Sequence, residues 1–332
     1  MCGIGRSMTG DLALPLLAPD PVMPVTPLAR RPTFSVVIAA YQAARFAPEA
    51  VASALGQSYS PMEVIVIDDG STDGLAEALA PYERDITVIR QSNRGEAAAR
   101  NAGVRVASGD YVVILDADDT WMADRLARMG EALRLRPDLD VLATDAWVEK
   151  GGEVVRRLIR DNRPFPAENQ RREILLRNFI FVGCAVRRRT WQEAGGMREI
   201  RGHIGLDWDM WRRLILGGSL IGMVDEPLAR YRRWEGSMTA DRERELADRI
   251  RIHLLSVEDP RLSGDERRLL RSLAARERVR LAALSADRAL PETRRRLLDV
   301  ISHRPFLQGN RTRFWAGRVL VGFPAEPPKD YR

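Results

Sequence analysis

Between residues 34 and 150 the chain alternates short β-rich apolar runs with segments of helical periodicity. FSVVIAAY (34–41), EVIVIDDGSTD (63–73), ITVIRQ (86–91), YVVILDA (111–117) and DVLATDAWVEK (140–150) read as strands. RFAPEAVASALGQ (45–57), GLAEALAPY (74–82), GEAAARNAGVRVA (95–107) and WMADRLARMGEALRLRP (121–137) lie between them and read as helices. Runs such as VVIL lack polar alternation, as expected of strands covered on both faces. Strands separated by helices of this length predict βαβ units. The expected fold class is α/β: a mostly parallel, Rossmann-like sheet flanked by helices, with a C-terminal helical appendage.

Open sheets of this kind bind ligands beyond the carboxyl ends of their strands. Two of those ends are acidic here. IDDGSTD carries Asp68 and Asp69; LDADD carries Asp116, Asp118 and Asp119. Clustered carboxylates raise one another's pKa unless a cation or water relieves them. LDADD is therefore either a polar turn that starts the next helix or a metal site. Capping the helix is the competing role for Asp119.

The 332 residues, 45% hydrophobic, are enough for one large core plus an appendage. Net charge is +6, and Lys150 and Lys329 are the only lysines among 52 basic residues. The excess is diffuse, so no nucleic-acid partner is expected. Cys2 and Cys184 are too few and too far apart for a disulfide framework, which fits a reducing cytosol. No run reaches the ~18 apolar residues of a membrane span. MCGI resembles the start of glutamine amidotransferases that use an N-terminal Cys, but the Pro-rich stretch after it carries no strand pattern.

Residues 1–32 read as a disordered leader, 33–239 as the main domain, and 240–332 as a helical region. In the middle, WQEAGGM (191–197) is turn-like, DWDMWRRLILGG (207–218) helical, and LIGMVDEPLARYR (220–232) a strand bending at Pro227. The Arg/Leu-rich C-terminal helices are expected to pack on the domain, with His253 and His303 at the surface. Their basic face is the candidate for peripheral contact at the inner face of the plasma membrane, on an otherwise cytoplasmic protein.

Five blocks, in order, carry a resemblance: SVVIAAYQAARF; VASALGQSYSPMEVIVIDDGSTD; NRGEAAARNAGVRVASGDYVVILDADD; a Gly-Gly turn followed by LDWDMWRRL; and YRRWEGSMT. Over about 34–239 the chain resembles the inverting glycosyltransferases of family 2, nucleotide-diphospho-sugar transferases with a GT-A fold. The resemblance divides the domain into a nucleotide-binding half (33–120) and an acceptor half (121–239).

It implies a nucleotide-sugar donor, a UDP-sugar by expectation, and a glycan or lipid-linked acceptor. It also implies a Mg²⁺ or Mn²⁺ ion on the diphosphate, held by Asp118, with Asp116 as co-ligand or ribose contact. Hard cations take oxygen ligands and need few from protein when phosphates supply the rest. The base would meet the backbone at Ala39, the ring of Tyr41 and the carboxylate of Asp69. Arg100 would approach the base or phosphates, with Asn101 and Gly95 shaping its loop. Asp207 matches the family's general base, with Asp209 its competitor, and His203 is free to act at the acceptor site.

Three departures stand out. Gln42 replaces an Asn, Leu206 replaces a Glu before the base, and Trp234 stands where relatives often carry a His that touches metal or diphosphate. Arg232, Arg233 and Trp234 remain candidates for acceptor or diphosphate contact. Arg230 occupies the Gln position of the Gln-x-x-Arg-Trp motif of processive synthases, which favours single addition. Two other readings compete: a degenerate nucleotide- or glycan-binding GT-A domain, and a sugar-nucleotide nucleotidyltransferase. The latter needs a Gly-rich loop after the first strand, and AAYQAARF has no glycine.

Overall fold

The computed structural model describes residues 14–159, 162–200, 205–234 and 241–284. Its strands are β1 (Leu16–Leu17), β2 (Phe34–Ala40), β3 (Glu63–Asp68), β4 (Thr87–Arg90), β5 (Tyr111–Asp116), β6 (Thr120–Trp121), β7 (Val141–Lys150), β8 (Glu153–Arg157), β9 (Ala185–Arg187) and β10 (Ile221–Arg233). Its helices are α1 (Ala47–Leu55), α2 (Leu75–Leu79), α3 (Glu96–Val106), α4 (Arg125–Leu135), α5 (Gln170–Leu176), α6 (Arg188–Glu193), α7 (Leu206–Leu216), α8 (Arg242–Val257) and α9 (Gly264–Leu284).

All ten strands join one sheet, ordered β1-β10-β7-β9-β5-β2-β3-β4, with β6 on β10 and β8 on β7. The pairs β2–β3, β3–β4, β2–β5 and β7–β10 are parallel, as expected. β9 lies antiparallel between β5 and β7. The sheet therefore runs through the division at residue 120, and the two halves share one core.

Side-chain alternation splits that core into two layers. Val36, Ile38, Val113 and Leu115 face α1 and α4, packing on Ala50, Val51, Leu126 and Met129. Val37, Val112 and Ile114 face α3 and α7, packing on Ala99, Ala102, Trp208 and Trp211. Helix α3 comes unusually close to β2. A Cβ on Gly103 would lie 2.3 Å from Val37 Cγ1, so only glycine fits.

Strand order reverses at β2, which has β3 on one side and β5 on the other. That switch point places Tyr41, Asp69 and the DADD run on one edge of the sheet.

Several expectations need correction. Residues 14–32 are not a loose leader: Leu16 and Leu17 pair with Val224 and Met223, and Leu28 N–H bonds Arg134 O. Thr120–Trp121 is not the first turn of a helix but pairs with Arg230 and Ala229. The first part of WQEAGGM belongs to α6; only Gly195 and Gly196, both at positive φ, make the turn. Pro227 does disturb β10, whose register against β7 shifts on either side of it.

The described part of the appendage, residues 241–284, is built into the domain, since α8 packs on both α7 and α9. His253, expected at the surface, is 1% exposed because α8 lays it against Trp208. Among the described residues no helix is long and apolar enough to cross a membrane. Cys2, His203 and His303 lie outside the described residues.

Candidate active site

The carboxylates of the DADD run are held from two parts of the fold: α3 holds Asp116, and the end of β10 holds Asp118 and Asp119. Asp116 Oδ1 accepts from Arg100 Nη2 at 2.6 Å. Asp118 Oδ2 accepts from the Trp234 indole N–H at 3.0 Å. Asp119 Oδ1 accepts from the backbone N–H of Arg232 at 2.9 Å. Asp119 is thus not a helix cap. Helix α4 starts six residues on, and Asp119 instead ties the run to β10.

The three groups still crowd one another. Burial, then Asp116, pushes the Asp118 carboxyl above its ordinary range. Burial, then Asp116 and Asp118, pushes Asp119 well above it. Asp119 Oδ2 is buried and has no hydrogen-bond partner among the described residues.

This chemistry fits a hard divalent cation. No group of three or more His, Cys, Asp or Glu among the described residues forms a metal site by itself. A cation that shares a diphosphate needs only one or two carboxylates from protein, and Asp116 and Asp118 supply two. Positive charge there would relieve the repulsion that raises Asp118 and Asp119.

Arg100 is 5% exposed and its Nη2 also bonds Glu96, one turn earlier on α3. Burial works against its charge, yet Glu96 and Asp116 outweigh burial and hold its pKa high. Glu96 itself is pushed up to about 7 by burial, against the pull of Arg100 and with the push of Asp116, Asp207 and Asp118. Asp207 belongs to the same cluster. It lies in the first turn of α7, after Gly205 (φ +74°), and accepts from Asn178 Nδ2 at 2.9 Å. Burial and Asp116 raise its pKa, while Arg100, the Trp208 N–H and Asn178 oppose them. Its competitor Asp209 is 1% exposed and paired with Arg213 and Arg198. That leaves Asp207 as the carboxylate of α7 that joins the Arg100–Asp116 cluster.

On the nucleotide side, Tyr41 is 53% exposed just past β2, so it is no core tyrosine. Asp69 is buried and its carboxylate is heavily used. Oδ1 accepts from Gln91 Nε2 and Arg94 N, and Oδ2 accepts from Gly95 N. It thereby shapes the loop that leads into Arg100. Among the described residues these three bonds leave one lone-pair direction of the carboxylate unused. Asp68 is bound to Ser71 N and Arg90 and supports the turn at Gly70 (φ +82°). Gln42, the Asn replacement, bonds Thr72 through its side chain. Ala39 sits between Ile67 and Asp116 in the sheet register, with its backbone beside the run.

At the end of β10, Arg232 is already engaged with Glu49 at 2.8 Å and Glu149 at 3.6 Å. Arg233 is exposed opposite Lys150. Trp234 rests against Phe46, centroids 5.2 Å apart. Asn101 does more than hold its own loop. Its amide accepts from Met197 N and donates to Met197 O, fastening the Gly-Gly segment to α3.

Sequence reasoning missed Glu96 and Asn178. Glu96 was legible as an i,i+4 partner of Arg100. Asn178 follows a helix, α5, that no periodicity announced.

Comparisons with known proteins bear on the family and the fold. The family model described as Glycosyl transferase family 2 matches residues 35–195. A putative teichuronic acid biosynthesis glycosyltransferase of Bacillus subtilis, TuaG, is 28% identical over 216 residues, covering 64% of this chain and 83% of that one. Of other curated glycosyltransferase relatives the chain spans only a part, 32% of one and 16% of two more. Among solved structures, S. aureus TarS 1–349 superposes with a TM-score of 0.60 at 17% identity, covering 87% of both chains. Mannosyltransferase PcManGT from Pyrobaculum calidifontis, in complex with GDP-Man and Mn²⁺, gives 0.55 at 19% identity, covering 90% of this chain and 87% of that one. The fold is the GT-A fold of these transferases, and residues 35–195 form a glycosyl transferase family 2 domain.

Proposed function

We propose that the protein moves a single sugar from a nucleotide-diphospho-sugar to a glycan or lipid-linked acceptor in polysaccharide biosynthesis, with inversion at the anomeric carbon. The observation that carries this reading is the cluster of Asp207 with Arg100 and Asp116, beside Asp118, at the switch point of the sheet. A displacement needs a base on one side of the sugar and stabilisation of a leaving diphosphate on the other. Asp207 is the candidate base. Its raised pKa moves it toward the range in which a carboxylate takes a proton usefully.

When bound, a Mg²⁺ or Mn²⁺ ion would neutralise the leaving diphosphate. Asp118, with Asp116, would hold it. Arg100 fixes the Asp116 carboxylate, and its positive charge favours the ionised form of Asp207. Leu206, in place of the family's Glu, is buried in the core, and Asn178 is the polar partner of the base. Relatives support a nucleotide-sugar donor: TarS is known in complex with UDP and with UDP-GlcNAc, and PcManGT with GDP-Man and Mn²⁺. We take a UDP-sugar as the donor here, with Tyr41, Ala39 and Asp69 around the base. The basic outer face of α8 and α9 is the proposed route of any peripheral membrane contact.

Calorimetry of UDP, GDP and dTDP, with and without Mn²⁺, tests the donor site. One nucleotide should bind in a Mn²⁺-dependent manner, and Asp118→Ala should abolish that dependence. If the wild type binds none of the three, the chain is a degenerate scaffold and the proposal fails.

A further inference from the structure

The end of β10 bears on the acidic run in a way that none of the roles above requires. Trp234 is 40% exposed, so burial alone does not fix it. Two contacts do: its ring lies against Phe46, and its Nε1–H points to Asp118 Oδ2 at 3.0 Å. Phe46 is itself covered by the guanidinium of Arg232, 5.2 Å from the ring centroid. One residue further on in the run, Asp119 receives the Arg232 backbone N–H. The end of the strand thus meets two successive carboxylates with two donors, one from Arg232 and one from Trp234 two positions later.

An indole N–H donates and offers no lone pair to a cation. Its effect on a metal must therefore pass through the carboxylate. We propose that Trp234 is a positioning residue for Asp118, fixing the rotation of the carboxylate that receives the divalent cation. This rests on the reading of Asp118 as a metal-binding group. Hydrogen-bond partners behind a ligating carboxylate commonly carry 10- to 100-fold of metal affinity, roughly.

The test is Mn²⁺ binding to the full chain, read by electron paramagnetic resonance with UDP present, beside UDP binding in metal-free buffer. Trp234→Phe keeps an aromatic ring beside Phe46 and removes the N–H together with the rest of the pyrrole ring. It should weaken Mn²⁺ binding about ten-fold or more, and leave metal-free UDP binding within two-fold of wild type. Asp118→Asn is the companion variant and should lose Mn²⁺ binding. If Asp118→Asn loses Mn²⁺ while Trp234→Phe binds it as well as, or more tightly than, wild type, the role of Trp234 is refuted and the metal site stands. If metal-free UDP binding falls in parallel with Mn²⁺ binding, the ring is general scaffolding and the positioning role is refuted. If wild type binds no Mn²⁺, or Asp118→Asn binds it normally, the metal assignment falls and this inference with it.

Discussion

Replacing His253 with Asn should remove an acid-sensitive contribution from the folding equilibrium. The imidazole is 1% exposed and lies between two guanidinium groups, Arg212 on α7 and Arg249 on its own helix α8. Arg212 Nη2 is 3.0 Å from His253 Nδ1. A guanidinium only donates, so Nδ1 accepts and the ring is neutral with its proton on Nε2. Burial, then Arg212 and Arg249, lowers the pKa from 6.5 to about 2. The unfolded chain takes up a proton below about pH 6.5 that the folded chain refuses. Between those values the unfolded state holds more protons, so stability falls as pH falls. Linkage gives a loss of about 2 kcal/mol at pH 5 relative to pH 8, approaching ~1.4 kcal/mol per further unit.

Glu96, pushed up to about 7, changes stability in the opposite direction over part of this range, so the quantity to follow is a difference. Urea unfolding of wild type and His253→Asn should be followed from pH 8 to pH 5. Asn keeps an acceptor near the Nδ1 position for Arg212. The wild-type deficit relative to the variant should grow by about 2 kcal/mol toward pH 5. A difference that stays flat would refute the claim that His253 is buried neutral.

Two further substitutions probe how the fold reaches the site. Gly103→Ala puts a methyl group into Val37, and overpacking of this kind costs about 1–3 kcal/mol; a thermal melt should show it, together with weaker nucleotide binding as α3 carries Arg100 away. Asp69→Asn turns one of two accepting oxygens into a donor facing the N–H groups of the 91–95 loop; leaving such donors unsatisfied costs about 1–3 kcal/mol, and hydrogen exchange at Arg94 and Gly95 should speed up. Unchanged exchange there would count against the loop-shaping role of Asp69.

The alternating strands and helices from 34 to 150 were readable because each covers several periods of its pattern. β1, β6 and β9 were not, because two or three residues carry no period. Leu16–Leu17 is a strand only because β10 offers an edge, and its Pro-rich neighbours point the other way. The site divided along the same line. Asp69, Arg100, Asp116, Asp118 and Asp207 sit at ends of long, legible elements, and their grouping followed from topology. Their partners came from afar. Trp234 lies 116 positions from Asp118, and Asn178, which follows a helix without a signal, lies 29 from Asp207. His253 was misjudged because a lone His on an Arg-rich helix says nothing about which face packs inward.

The distance between the acidic run and β10 also sets an order of assembly. On the ribosome, Asp118 and Asp119 emerge more than a hundred residues before Trp234 and Arg232, the groups that hold them. β10 enters the sheet beside β7, with β9 and β5 beyond, so strands made early wait for one made late. A nascent chain halted before β10 has DADD without either of its β10 donors. Completion of the acidic edge is thereby coupled to completion of the sheet, and a prematurely terminated product would carry an unfinished version of the proposed donor site.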